Sequence, residues 1–132
     1  MDIRGIDHIA INTLDYGATI HLYRDILGFK ELNTVEKGDF CSTYLAVPGG
    51  ARLEIFDNRG KTIPVAYDEL QSGVRHIAFR VKDVKKHEEL LRGHGIDMLL
   101  SCTELPEFDA RVILFYDPNG IVVEFCEKLS EV

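Results

Sequence analysis

The hydrophobic and polar positions of the chain follow two periods, and these periods alternate along the sequence. Residues 6–12 alternate, with His8, Ala10 and Asn12 on one face and Asp7, Ile9 and Ile11 on the other, which predicts a strand. Apolar residues then recur at helical spacing over residues 20–27, which predicts a helix. Thr13 or Asp15 is expected to cap the start of this helix, and Gly28 to end it.

Three further strands are expected before residue 59. They are predicted at residues 29–36, 40–47 and 52–58, and a Pro-Gly-Gly turn joins the last two. Residues 59–71 are polar and contain a proline, which favours a linker. The first half of the chain is therefore predicted to be a β-α-β-β-β unit.

The second half follows the same plan. Its predicted elements are a strand at 75–81, a helix that Asp83 caps and Gly93 and Gly95 close, a strand near 97–102, a loop around Pro106, and a hairpin of strands 111–116 and 121–127. The side of the helix that faces the core is expected to carry Val84, His87, Leu90 and Leu91.

The two halves also repeat one another in sequence. His-Ile-Ala occurs at 8–10 and again at 76–78, and Pro-x-Gly followed by a glutamate occurs at 48–54 and at 118–124. We therefore expect one α+β domain over residues 1–132. In this domain, two βαβββ repeats (about 5–58 and 72–128) form an open curved sheet, a half-barrel cleft with the helices outside.

Each repeat supplies one histidine on its first strand and one glutamate on its last strand. Pseudo-symmetry then predicts a cluster of four side chains, namely His8, Glu54, His76 and Glu124. Two carboxylates about 4 Å apart repel by about 4 kcal/mol at an effective dielectric constant of about 20. A divalent cation removes that cost, and this set of nitrogen and oxygen ligands suits Ni²⁺, Co²⁺, Mn²⁺, Fe²⁺ or Zn²⁺. One divalent transition metal per site is predicted.

Composition excludes several other classes of protein. With 15 basic and 22 acidic residues the net charge is −7, which argues against binding to nucleic acid or an anionic membrane. No apolar run reaches membrane-spanning length, and the N-terminus lacks a signal-peptide pattern. Three scattered cysteines without a C-x-x-C motif indicate reduced thiols. A cytoplasmic protein is predicted.

Several motifs resemble the vicinal oxygen chelate superfamily over essentially the whole chain. This superfamily includes glyoxalase I, methylmalonyl-CoA epimerase, extradiol dioxygenases, fosfomycin-resistance transferases and bleomycin-binding proteins. The matching motifs are His8-Ile-Ala, Tyr23-x-x-x-Leu27-Gly28-Phe29, Arg52-Leu-Glu54-Ile, His76-Ile-Ala and Asp117-Pro-Asn-Gly120-x-x-x-Glu124.

The complete His/Glu/His/Glu set resembles glyoxalase I, which is lactoylglutathione lyase. The dioxygenases and fosfomycin enzymes of the superfamily have a three-ligand pattern, two His and one Glu, without a ligand at the position of Glu54. Its epimerases usually have glutamine at that position. Its antibiotic-binding members have lost the ligands. Asn58 matches a thiol-binding asparagine of glyoxalase I. The glutathione-binding arginine expected after the first histidine is Asn12 here, and an arginine stands instead at the pseudo-symmetric position, Arg80. Another thiol or another α-hydroxycarbonyl substrate is therefore an alternative to glutathione.

The resemblance implies an isomerase for an α-hydroxycarbonyl or hemithioacetal substrate. Proton transfer would pass through a metal-bound enediolate, with Glu124 as the base and Glu54 on the opposite face. Asn12, Asn58 and Arg80 would bind the substrate, or Arg80 would only balance buried carboxylates. The alternatives are a dioxygenase or epimerase of the same superfamily, or a non-catalytic drug-binding protein. Unpaired sheet edges and the resemblance both predict a homodimer, whose sites form within one chain or by exchange between chains.

Overall fold

The computed structural model describes residues 1–66, 68 and 70–131. The chain divides into two compact units, Met1–Pro64 and Val65–Val132. The predicted linker at 59–71 includes Tyr67 and Glu69, which lie outside the described residues. Over the described part of that segment the backbone forms turns and irregular structure. Among the described residues, no helix is long and apolar enough to cross a membrane.

The first unit is an open sheet with one helical segment. Its elements are β1 (His8–Asn12), α1 (Tyr16–Ile20), a π-helix (His21–Ile26) that continues α1, β2 (Lys30–Glu36), β3 (Cys41–Ala46) and β4 (Arg52–Asp57). The strand order is β1-β4-β3-β2. β1 runs parallel to β4, and the other neighbouring strands are antiparallel.

Asp15 is the residue that caps α1. Its carboxylate accepts a hydrogen bond from the backbone N–H of Ala18 at 3.0 Å, which satisfies a donor that the first turn leaves free. The other predicted cap, Thr13, instead donates its hydroxyl to the carbonyl of Phe56 at 2.7 Å. This bond joins the end of β1 to β4. Gly28 has φ of +84°, so it ends the helical segment in the left-handed conformation that glycine adopts without strain.

The alternation of each strand divides the sheet into an apolar face and a polar face. On the apolar face Ile11, Leu53 and Ile55 are almost completely buried. Ile11 lies opposite Ile55 in the β1–β4 register, and α1 contacts β4. The hydrophobic effect therefore fixes which way each strand faces, and His8 and Glu54 are left on the opposite side.

The second unit repeats this topology. Its elements are β5 (Ile77–Arg80), α2 (Val84–Gly93), β6 (Leu100–Leu105), a 3-10 helix (Pro106–Phe108), β7 (Ala110–Tyr116), β8 (Val122–Lys128) and a second 3-10 helix (Leu129–Glu131). The strand order is β5-β8-β7-β6, and β5 is parallel to β8. Over the described residues the chain thus forms two open four-stranded sheets, and the predicted α+β class with two βαβββ repeats is confirmed.

Two details of the second unit differ from the prediction. The strand expected near 97–102 is β6, Leu100–Leu105. The residues after α2 first close the helix, because the N–H of Ile96 bonds the carbonyl of Leu91 at 3.1 Å. Pairing with β7 begins only at Leu99 and Leu100. The expected loop around Pro106 is a short 3-10 helix.

The prediction that Leu90 faces the core is wrong. Its exposed fraction is 54%, whereas Val84 and Leu91 are buried. Leu91 follows Val84 by two helical turns and lies on the same side, but Leu90 is rotated by about 100° from Leu91. His87 takes the remaining inward position, with its ring 5.6 Å from that of Phe125.

Candidate functional site

In the first unit, parallel pairing of β1 with β4 brings a histidine and a glutamate together. Ala10 lies opposite Glu54, and His8 is two residues before Ala10 on the same face of the strand. The Nε2 atom of His8 lies 3.4 Å from Oε1 of Glu54. This contact is possible because the strand order places β1 and β4, the first and last strands of the unit, side by side.

The second unit holds an equivalent pair. Ala78 lies opposite Glu124 in the parallel pairing of β5 with β8. His76 lies one residue before β5, and its Nε2 is 3.7 Å from Oε1 of Glu124. Each unit therefore presents one imidazole nitrogen beside one carboxylate oxygen.

Both carboxylates are unusually shielded from solvent. The exposed fraction is 12% for the side chain of Glu54 and 19% for that of Glu124. Glutamate side chains are rarely this buried unless a partner compensates their charge. A carboxylate that is ionised in such a place needs a cationic or hydrogen-bonding partner.

In the first unit, Asp7 orients the imidazole of His8. The Asp7 carboxylate and Nδ1 of His8 are 2.6 Å apart. When Nδ1 carries the proton of this bond, the lone pair of the neutral ring is on Nε2, which is the nitrogen beside Glu54. Arg52 donates to the same Asp7 carboxylate at 2.5 Å. A carboxylate on the far nitrogen is the usual support of a metal-binding histidine.

Tyr44 lies on β3 opposite Glu54, and its ring contacts Arg52 and His8. The guanidinium carbon of Arg52 lies 4.4 Å from the centre of its ring, and the ring of His8 meets it edge-on at 5.8 Å. Burial, and then the negative charge of Glu54, raise the pKa of the Tyr44 phenol. The hydroxyl therefore remains a donor at neutral pH.

Asp7 titrates below its ordinary range. The hydrogen bond from His8, followed by the hydrogen bond and charge of Arg52, lowers the pKa of Asp7 below 3.8. Because this pKa is lowered on folding, the stabilisation that it represents is present above the ordinary pKa and is lost as the pH falls through the folded value.

Replacing Arg52 should raise the pKa of Asp7. We expect the carboxyl ¹³C signal of Asp7 to titrate with a midpoint below 3.8 in the unsubstituted protein. In Arg52→Leu the midpoint should move partway towards the ordinary value, because the bond from His8 remains. Arg4→Leu, which removes an exposed arginine paired with Asp2, is the matched control. An Asp7 midpoint that is the same in both variants would contradict the described network.

The three predicted substrate-binding residues lie in two places. The amide of Asn58 donates to Oδ1 of Asn12 at 2.9 Å and to the hydroxyl of Thr62 at 3.1 Å. Arg80 lies opposite Cys126 on the second sheet. Its side chain is 61% exposed, and one of its nitrogens is 3.9 Å from a carboxylate oxygen of Glu131. Within the first unit, therefore, Asn12 and Asn58 form one polar amide pair.

The donor types fit a divalent transition metal. Two atoms that each lie about 2.1 Å from one ion are about 3.0–3.7 Å apart at angles of about 90–125°, and the two His–Glu pairs have 3.4 and 3.7 Å. Within residues 1–66, 68 and 70–131, no group of three or more His, Cys, Asp or Glu side chains that could hold a metal ion is formed. Each pair alone therefore offers two donor atoms to an ion.

Tyr44 and Asp7 are the functional candidates that sequence reasoning missed. The alternation of residues 40–47 assigns Tyr44 to one of two faces, but only the register of β3 against β4 places it beside Glu54. The signal for Asp7 was its position next to His8. In the sequence Arg52 stands out only as part of a motif. Its contact with Asp7 depends on the pairing of β1 with β4, and its contact with Tyr44 on the pairing of β3 with β4.

Comparisons with known proteins agree with this fold. The family model described as Glyoxalase/Bleomycin resistance protein/Dioxygenase superfamily matches residues 5–125. The uncharacterized protein YaeR of Escherichia coli is 29% identical over 97% of this chain and 99% of its own length. A lactoylglutathione lyase of Haemophilus influenzae is 26% identical over 93% of this chain and 92% of its own.

A solved structure gives the same result in three dimensions. The glyoxalase family protein from Enterococcus faecalis superimposes with a TM-score of 0.83 at 27% identity, and the match covers 96% of this chain and all of that one. A family model that matches nearly the full length agrees with the paired His–Glu motifs and with the two repeated sheets. The chain therefore belongs to the glyoxalase/bleomycin resistance protein/dioxygenase superfamily, the vicinal oxygen chelate superfamily that its motifs resemble.

Proposed function

We propose that the protein is a metal-dependent isomerase of the glyoxalase I type, acting on an α-hydroxycarbonyl or hemithioacetal substrate. The observation that carries the proposal is the repeated pair of an imidazole nitrogen and a shielded carboxylate oxygen, 3.4 Å apart in one unit and 3.7 Å apart in the other. The superfamily also contains dioxygenases and binding proteins. A complete His/Glu/His/Glu set resembles glyoxalase I, and the Haemophilus influenzae relative is named a lactoylglutathione lyase.

The four donors His8, Glu54, His76 and Glu124 would hold one divalent ion. Neutral imidazoles and ionised carboxylates give this set a charge of about −2, which matches a divalent cation. Such an ion supplies positive charge that stabilises the negative charge developing on substrate oxygens. The two pairs come from one chain, or from two chains that exchange units.

Glu124 is the proposed base. Its carboxylate takes the proton from the C–H bond next to the substrate carbonyl, and the same proton returns to the neighbouring carbon. One C–H bond breaks and one forms, so the reaction is an isomerisation that needs no oxidant. Glu54 remains on the opposite side of the substrate. The amides of Asn12 and Asn58, together with the cationic Arg80, bind polar or anionic parts of the substrate.

A homodimer and a cytoplasmic location remain predictions. In the described units the sheets begin and end with β1 and β2, or with β5 and β6, so each has two outer strands. Outer strands present backbone N–H and C=O groups that another chain can pair with. A dimer would contain two equivalent sites.

Metal content together with an isomerase assay tests the proposed function. We expect the purified protein to carry about one divalent ion per site and to convert methylglyoxal in the presence of a thiol, with several thiols compared in parallel. Chelator-treated protein, restored by adding back Ni²⁺ or Co²⁺, is the control. A metal-free protein without isomerase activity would overturn the proposal. Oxygen consumption by an iron-loaded sample would instead indicate a dioxygenase.

A further inference from the structure

Two asparagines form an amide pair on the same side of the first sheet as His8 and Glu54. Asn12 follows His8 by four residues on β1, so both side chains leave the strand on one face. At about 3.3 Å per residue, the Cα atoms of these two residues are about 13 Å apart. Asn58 follows β4 and donates its amide to Oδ1 of Asn12 at 2.9 Å. This face therefore carries a His–Glu pair at one end and an amide pair at the other.

The side chains between the two pairs are apolar. Ala10 lies between His8 and Asn12 in the alternation of β1, and Phe56 lies opposite Asn12 in the parallel register. The ring of Phe56 packs against that of Phe40, with 5.4 Å between the ring centres. A molecule that contacts both pairs would thus carry polar groups at its two ends and a less polar part between them.

The hydrogen bonds of the amide pair leave one donor group and one acceptor. The Asn58 nitrogen donates to Oδ1 of Asn12 and to the hydroxyl of Thr62, at 2.9 and 3.1 Å. A primary amide has two N–H donors and one carbonyl acceptor. These bonds use both donors of Asn58 and the carbonyl of Asn12. The amide nitrogen of Asn12 therefore remains to donate to a ligand, and the carbonyl oxygen of Asn58 remains to accept.

The charged side chains around Asn58 provide no net positive charge. The guanidinium of Arg59 contacts Glu36, and one of its nitrogens is 3.7 Å from the carboxylate of Asp57. With Lys61, which is exposed, the two acidic and two basic residues sum to zero. A carboxylate that is removed from water needs a cationic partner, and the nearest guanidinium is already held by two carboxylates.

We propose that Asn12 and Asn58 determine substrate specificity by favouring a substrate whose far end is neutral, a hydroxyl or a carboxamide, over one that ends in a carboxylate. The inference rests on the proposed function, which places the reacting carbons at the His–Glu end. In a hemithioacetal, the far end then belongs to the thiol. A hydroxyl or a carboxamide can accept from Asn12 and donate to Asn58, whereas a carboxylate can only accept. Its oxygen would face the Asn58 carbonyl without a hydrogen between them, which costs affinity.

Two thioethers that differ only at this end test the preference. S-methyl-N-acetylcysteinylglycinamide ends in a carboxamide, and S-methyl-N-acetylcysteinylglycine ends in a carboxylate. Calorimetric titration at neutral pH should give a dissociation constant about tenfold lower for the carboxamide. Isomerase assays with methylglyoxal and the two parent thiols should show the same preference in kcat/KM.

Asn12→Arg should reverse this preference. A guanidinium supplies positive charge and several donors but no acceptor, so it favours the carboxylate. The matched control is His21→Arg in the π-helix, whose side chain is 63% exposed. This helix continues α1, which packs on the apolar face of the sheet. The control adds a guanidinium on the other side of the sheet and should leave both dissociation constants unchanged.

The outcomes separate this inference from the proposed function. If the protein is an active metal-dependent isomerase but shows no preference for the carboxamide in either binding or kcat/KM, this inference is overturned and the proposed function stands. A folded Asn12→Arg protein that keeps the original preference would also overturn it. If that variant does not fold by its melting curve, the comparison in the unsubstituted protein decides alone. A protein that neither isomerises a hemithioacetal nor binds either thioether would overturn both proposals.

Discussion

Glu124→Gln should keep both the fold and the bound ion and lose about a hundred- to ten-thousand-fold in turnover. An amide oxygen still coordinates a cation, but the amide does not accept the substrate proton. The two glutamates have different surroundings, because the cross-strand neighbour of Glu124 is Leu114 and that of Glu54 is Tyr44. Glu54→Gln should therefore lose less turnover than Glu124→Gln when both are measured at saturating metal.

Metal occupancy decides how this comparison is interpreted. Replacing either ligand weakens the site, so turnover is compared only after elemental analysis shows equal loading of the two variants. Equal losses at equal loading would mean that both carboxylates exchange protons. A metal-loaded Glu124→Gln protein with nearly full activity would place the base elsewhere and contradict the proposed mechanism.

The sequence predicted the two sheets because each strand satisfies a simple physical condition. Ile9 and Ile11 in the first strand, and Leu53 and Ile55 in the fourth, stand at every second position. The structure buries Ile11, Leu53 and Ile55 almost completely. Burial of one face then determines where His8 and Glu54 point. Internal repetition extended the same argument to His76 and Glu124, whose chain positions alone would not have connected them.

The neighbours of the two pairs depend on information that periodicity does not contain. Tyr44 is ten residues before Glu54, and only the antiparallel register of β3 against β4 places them opposite each other. Asp7 and Arg52 are 45 residues apart in sequence and 2.5 Å apart in the structure. The prediction for Leu90 was wrong for a related reason. Leu90 and Leu91 are adjacent apolar residues on different sides of α2, and only the packing of the helix shows that Leu91 is the buried one.

The two repeated units share the His–Glu pair and differ in the residues around it. Both units have a parallel pair of first and last strands, and this pairing by itself generates a His–Glu contact. The residues that distinguish the pairs lie on the third strand of each unit and beside the histidine. A repeated fold can thus provide two similar His–Glu pairs whose neighbouring side chains differ.

Adding a divalent ion should stabilise the protein strongly. A ligand that binds only the folded state at a hundred times its dissociation constant adds about 2.7 kcal/mol to the free energy of unfolding. For a chain of 132 residues this corresponds to an increase in melting temperature of about 10 °C. The reason is that folding already brings the two members of each His–Glu pair together. The distance is 3.4 Å between His8 and Glu54 and 3.7 Å between His76 and Glu124. The unfolded chain does not hold these side chains together.

Differential scanning fluorimetry with Ni²⁺, Co²⁺, Mn²⁺ and Zn²⁺ measures this effect. The doubly substituted His8→Ala/His76→Ala protein should lose most of the stabilisation, and His94→Ala, which removes an exposed histidine after α2, should retain it. The stabilisation should also diminish as the pH falls, because protons compete with the ion for imidazole nitrogens and carboxylate oxygens. If none of the four ions changes the melting temperature of the unsubstituted protein, the two His–Glu pairs do not form a metal site.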